Sequence, residues 1–230
     1  MFPFDTNVKE LSIYKPIIKA LQAKNLVPAL VSSDAVDRSI TKLFDTKGKD
    51  DIVIATDFSG YDQTFGPVAQ QAVREIWAGL GVNANWLDDI FPIKFNIPLV
   101  CTETITYTGP HGMGSGSGGT NTDECAEHRA LQHQAAINDG QKLNLYSTAY
   151  GDDGVITYPG ITVQSVISTY NSHGHVMNES KQYVSKTRTV CLRKFYNTTY
   201  RPDGQMRGIY SIYRALGRLH YQERYYNPEK

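Results

Sequence analysis

The chain has 230 residues, enough for one large domain or two small ones, and its 40% apolar, 20% charged and 11% aromatic content is ordinary for a globular protein. The zero net charge hides an acidic body and a basic end: residues 1–180 carry 12 Lys+Arg against 20 Asp+Glu, whereas residues 181–230 carry 11 against 3. No apolar run approaches the ~20 residues that span a bilayer, MFPFDTNVKE carries no signal pattern, and three scattered cysteines exclude a disulfide framework or zinc spacing, so a reducing compartment is expected.

Helices are predicted over 7–24 and 33–46, the second capped by Ser33 or Asp34. DDIVIATDFS reads as a buried strand that ends near Asp57. GPVAQQAVREIWAGLG reads as a helix with Pro67 in its first turn and Gly81 past its end. IPLVCTETITYTG suits a hairpin or an extended pair, and the glycine-rich GPHGMGSGSGGTN (109–121) reads as a working loop between structured segments. A helix over about 119–138 follows, then strands 144–149 and 154–158 around a Gly-Asp-Asp-Gly turn. A helix over 161–172, short strands near 175–178, 183–185 and 188–196, and a helix over 206–222 complete the chain. This order predicts an α+β fold, with helices packed on one face of a mainly antiparallel sheet.

Three segments concentrate chemistry. TDFSGYDQTF places Asp57 at a strand end and Asp62 five residues later, and a carboxylate there is costly unless it meets water or a cation. The hairpin tip offers Asp152 and Asp153; if its strands neighbour the Asp57 strand, three carboxylates meet, which a divalent cation makes tolerable. Oxygen-only ligands select Mg²⁺ or Mn²⁺, and two such ions would activate a hydroxyl and neutralise a leaving pyrophosphate. The third segment, GMGSGSGGTN, lets backbone approach a ligand and feeds a helix N-terminus, yet it is neither a P-loop nor a dinucleotide fingerprint.

Taken in order, DFSGYD, SGSGGT and YGDDG resemble motifs A, B and C of the viral RNA-dependent RNA polymerases. GHVMNESKQ resembles motif D and CLRKFY the motif E hairpin. The likeness covers about residues 50–200, is closest to picobirnaviruses, and has partitiviruses next. It implies a right-hand palm: an antiparallel sheet flanked by helices, with partial fingers and the start of a thumb. Residues 1–50 would connect fingers to palm, 51–65 carry motif A, 66–108 form a fingers-side insertion, 109–204 carry motifs B to E, and 205–230 open a truncated thumb. No arginine- or lysine-rich motif F precedes residue 1, so the chain is expected to be a fragment.

By the same resemblance, Asp57 and Asp152 bind two Mg²⁺ or Mn²⁺ ions and Asp153 assists. Asp62 recognises the ribose 2′-hydroxyl together with Ser115, Gly116, Thr120 and Asn121 of motif B. The family often has an asparagine further into the helix, where this chain has Asp123 and Glu124. Lys181 matches the motif D general acid, with Lys186 as its rival, and Arg193 and Lys194 would grip the primer backbone. Partners implied are template and nascent RNA, NTPs, and the capsid interior or replicase components, in the virion or the host cytoplasm. Gly151 before Asp152 argues against reverse transcriptases, and the turn lacks the palm cyclases' motif. An RNA-binding fragment without activity is the alternative. His128 with His133, and His173 with His175, read as structural or solvent-facing. Trp77 and Trp86 would pack the insertion, and Tyr225 and Tyr226 are either thumb core or RNA-facing.

Overall fold

The computed structural model describes residues 2–114 and 116–221. Helix α1 (Phe4–Ala23) leads through a short turn to α2 (Ser33–Thr46). The cap of α2 is Ser32, one residue earlier than expected, and its hydroxyl accepts the Ala35 N–H at 3.1 Å. Strand β1 (Val53–Thr56) runs into α3 (Tyr61–Thr64) and α4 (Pro67–Gly79). Next come α5 (Ala84–Asn96), the short pair β2 (Leu99–Val100) and β3 (Thr106–Tyr107), and α6 (Thr120–Asn138). Strands β4 (Thr148–Tyr150) and β5 (Asp153–Ile156) form the hairpin, followed by α7 (Val163–Ser172) and β6 (Tyr183–Ser185). A second hairpin, β7 (Arg188–Cys191) and β8 (Lys194–Asn197), then β9 (Ile209–Tyr210) and α8 (Ile212–His220) end the described part.

The main sheet has the order β4-β5-β1-β6, with every neighbour antiparallel. Both faces are covered, which corrects the expectation of helices on one face only. Ile54 and Ile156, paired in register, pack towards Leu131 and Ala135 of α6 and Val166 and Tyr170 of α7. Val53 and Val155, on the opposite pleat, pack towards Val36, Ile40 and Leu43 of α2 and Tyr196 of β8. Four buried residues in succession along β1 follow from this double cover. Burial of a side chain such as Val53 or Ile54 contributes about 1.5–3 kcal/mol.

Helix α5 is absent from the sequence reading. Pro92 in its middle hides it, yet Leu87, Ile90, Phe91 and Phe95 share one buried face. Trp77 and Trp86, expected to pack the insertion, each meet the ring of Tyr14 in α1 edge-on, at 6.3 and 5.6 Å. The stretch 175–178 holds only one bridge, Phe58 to Met177, rather than a strand. The predicted helix over 206–222 is instead β9 followed by α8, because residues 209–210 pair with Lys194 and Phe195. Tyr225 and Tyr226 lie outside the described residues.

Candidate active site

Asp57 leaves the end of β1 exposed to solvent. Gln182 fixes its backbone from both sides: its Oε1 accepts the Asp57 N–H at 3.0 Å and its Nε2 donates to the Asp57 carbonyl at 2.8 Å. Thr56 pairs with Gly154 across the sheet, and Tyr150 with Asp153. That register brings the Asp152-Asp153 turn beside the end of β1. Gly151 has φ +59, in the left-handed region that the tight turn requires.

His128 seats the turn. Its Nδ1 donates to the Gly151 carbonyl at 2.8 Å, and Thr56 Oγ1 donates to its Nε2 at 3.3 Å. This pair of bonds is that of a neutral imidazole, and burial pushes the His128 pKa down to about 4, which keeps it so. Gly154 is glycine because a methyl group there would lie 2.5 Å from His128 Nε2. The expectation that His128 is structural agrees with this burial, although its contact is with the turn itself. His133 is exposed, whereas His175 is buried, its Nε2 at 2.8 Å from Glu127 Oε1.

Asp57, Asp152, Asp153, Lys181 and Arg193 line one cleft of about 740 Å³. Burial first, then the charges of Asp152 and Asp57, raise the Asp153 pKa to about 6, and Arg193 opposes them. Among the described residues no three Asp, Glu, His or Cys side chains form a ready-made cation cage. The donor set still fits a hard divalent ion. It is all oxygen, its charges repel, and Mg²⁺ characteristically takes only one or two carboxylates, completing its shell with waters and substrate phosphates.

Of the predicted sugar-binding residues, Asp62, Gly116, Thr120 and Asn121 do not line this cleft. Asp62 sits exposed on α3, and its carbonyl accepts the Met113 N–H at 2.8 Å, joining it to the glycine-rich loop. Thr120 spends its hydroxyl on that loop, donating towards the carbonyls of Gly114 (3.0 Å) and Ser117 (3.2 Å). Gly116 is exposed, and Ser115 lies outside the described residues. Asn121 and Glu124, one turn apart on α6, face the back of the catalytic turn: Asn121 Nδ2 and Glu124 Oε2 are 3.6 and 3.3 Å from where a Gly151 methyl would stand. Glu124 links the two regions. It is buried, hydrogen-bonded to Asp62, and its pKa rises to about 9 through burial, Asp62 and then Asp152. Its Oε1 has no hydrogen-bond partner among the described residues.

Of the basic candidates, Lys181 and Arg193 reach the cleft, while Lys194 bonds Ser33 Oγ and Lys186 pairs with Asp50 at 3.0 Å. Three residues escaped the sequence reading in this role: Gln182, Glu124, and His128 as the seat of the turn. Only Glu124 had a signal, a carboxylate at a core-facing position of α6 between Asp123 and Cys125, where burial demands a partner.

A model of the family described as viral RNA-dependent RNA polymerase matches residues 1–224. The chain belongs to this family. A "Potential RNA-dependent RNA polymerase" of human picobirnavirus (strain Human/Thailand/Hy005102/-) is 53% identical over 232 residues, covering 100% of this chain and 43% of that protein. The crystal structure of a human picobirnavirus RNA-dependent RNA polymerase matches with TM-score 0.95 and 52% identity, over 100% of this chain and 44% of that one. Its insertion-loop deletion mutant matches equally well, with 46% of that chain covered. The chain therefore spans less than half the length of these relatives, and the fold is that of a viral polymerase palm with its neighbouring helices.

Proposed function

We propose that the chain is the catalytic palm of an RNA-directed RNA polymerase, which joins NTPs to an RNA 3′-hydroxyl under the direction of an RNA template. The observation that carries this reading is the convergence of Asp57, Asp152 and Asp153 from separate segments on one cleft that also holds Lys181 and Arg193. Asp57 and Asp152, with Asp153 assisting, would hold two Mg²⁺ or Mn²⁺ ions. Those ions supply charge neutralisation and a more acidic 3′-hydroxyl. The chain's own groups do the rest. The 3′-hydroxyl releases its proton to solvent as its oxygen attacks the α-phosphorus of the NTP, a phosphodiester forms, and the bond to pyrophosphate breaks. Lys181 gives a proton to the departing pyrophosphate. Arg193 holds a primer phosphate, and the basic end adds salt-dependent affinity for RNA. Asp62 accepts the ribose 2′-hydroxyl, with the motif B loop (Ser115, Gly116), Thr120 and Asn121 shaping its surroundings.

We assign residues 51–65 and 109–204 to the palm, 66–108 to a fingers-side insertion, 1–50 to its connection and 205–230 to the opening of the thumb. The proposed setting is the virion interior or host cytoplasm, beside capsid or replicase components. No helix among the described residues is long and apolar enough to cross a membrane. The test is RNA-templated incorporation of ATP against dATP. Asp62→Ala is expected to narrow the preference for ATP by at least about tenfold, a charge-assisted hydrogen bond's worth. Equal use of ATP and dATP by the parent would overturn the assignment of Asp62. Salt-sensitive RNA binding without any incorporation would instead favour a binding fragment.

A further inference from the structure

The proposed reaction leaves several buried charged groups unused, Glu10 among them. Glu10 of α1 is fully buried, more than a hundred residues in sequence from the loop it touches. Ser117 Oγ donates to its Oε1 at 2.6 Å, and the Gly118 N–H donates to its Oε2 at 2.7 Å. Asn7, one helical turn earlier on the same face, grips the neighbouring residues. Its Nδ2 donates to the Gly116 carbonyl at 3.1 Å, and its Oδ1 accepts the Gly118 N–H at 2.8 Å. Tyr14, a turn beyond Glu10, donates to Asp123 in the first turn of α6 at 2.8 Å. Lys94 of α5 lies between the carboxylates, paired with Asp123 and 3.5 Å from Glu10 Oε1.

Nothing in the loop's own sequence favours one conformation, because four of the six residues 114–119 are glycine and glycine leaves the backbone free. At its near end the loop is tied to Asp62 through Met113, and at its far end it becomes α6, which presents Asn121 and Glu124 to the catalytic turn. Four hydrogen bonds from two α1 side chains fix the stretch between these ends. A carboxylate is well suited to this work: both of its oxygens accept, and bonds to a charged acceptor are stronger than neutral ones.

We propose that Glu10 and Asn7 are positioning residues, which set the conformation of the glycine-rich loop and through it the site for the incoming nucleotide. This inference rests on the polymerase reading for its link to nucleotide, but the clamp itself is a property of the chain. A residue that served stability alone would lower the melting temperature and leave KM unchanged.

The test compares Asn7→Ala, Glu10→Ala and Glu10→Gln in the whole polypeptide. It follows ATP incorporation on poly(U) primed with oligo(A), together with hydrogen exchange of the 116–119 amides. Glu10→Ala is expected to raise KM for ATP about tenfold, with a much smaller change in kcat, and to speed exchange in the loop but not in β1 or β5. Glu10→Gln keeps an acceptor for Gly118 and a donor for Ser117 Oγ, so it is expected to stay within about threefold of the parent. Asn7→Ala, at a half-buried site, gives the same loop-specific exchange and a smaller KM rise, and it carries the test should Glu10→Ala fail to fold. Unchanged loop exchange, or a loosened loop with unchanged KM, overturns the proposal. A Glu10→Gln protein as impaired as Glu10→Ala overturns it too, in favour of a purely electrostatic role beside Lys94. A parent that incorporates nothing sinks the polymerase reading, and the exchange measurement still decides whether α1 holds the loop.

Discussion

Replacing Glu124 by glutamine should alter how stability depends on pH. The Glu124 carboxyl is buried beside Asp62, and burial together with that neighbour raises its pKa from 4.5 to about 9. The folded chain therefore keeps a proton that the unfolded chain releases above pH 4.5, and stability falls as pH rises towards 9. Inside that window the slope for one such group is about 1.4 kcal/mol per pH unit, or about 2.7 kcal/mol between pH 5.5 and 7.5. Glutamine keeps the shape and offers an amide N–H to Asp62 in place of the carboxyl O–H, but carries no proton to lose. Other groups, among them Asp153 with its pKa near 6, titrate in both proteins and cancel in the difference. Urea unfolding at pH 5.5, 6.5 and 7.5 in EDTA measures that difference. Glu124→Gln should gain on the parent by roughly 2–3 kcal/mol from the lowest to the highest pH. Parallel stability curves would refute a protonated Glu124.

Lys94→Met removes the cation between two buried carboxylates, Glu10 and Asp123, and should cost about 3–5 kcal/mol in urea unfolding. A loss under about 1 kcal/mol would mean that the pair is solvated. Gly154→Ala places a methyl group against the His128 ring and Thr56 Oγ1, so a loss of about 1–3 kcal/mol is expected from overpacking, read by thermal melting. Gln182→Ala removes two bonds to the backbone of exposed Asp57; stability should change by less than about 1 kcal/mol while the rate of incorporation falls about tenfold.

What the sequence made legible follows from local patterning. The hairpin with its carboxylates was readable because alternating apolar residues flank an Asp-Asp turn bounded by glycines, and only such a turn needs the left-handed Gly151. That Asp57 would meet it depended on strand pairing, which the order of motifs suggested and the register of Thr56 with Gly154 bears out. The double cover of the sheet was less legible. VIAT reads as buried, but nothing local says that α2 and the β7–β8 hairpin supply the second cover. Helix α5 was masked by Pro92, and β9 by a basic, aromatic stretch that suits a helix equally well. The supports of the site, Gln182 to Asp57 and Glu10 to Ser117, span over a hundred residues and are single polar side chains without periodicity. Tertiary packing alone assigns them their roles. Thr120 and Lys194 show the reverse: each fits a motif by position, yet the structure turns Thr120 to the loop backbone and Lys194 to Ser33.

The central claim is that Asp152, presented by the turn beside Asp57, serves nucleotidyl transfer. Its most direct test is divalent-ion-dependent incorporation of ATP on an RNA template by Asp152→Ala beside the parent, with far-UV circular dichroism and thermal melting on both. Asp152 is exposed, so the variant should fold and melt like the parent. Its incorporation should fall by at least about a thousandfold, the scale of lost transition-state charge stabilisation. Incorporation near the parent's rate in a correctly folded Asp152→Ala protein would contradict the account.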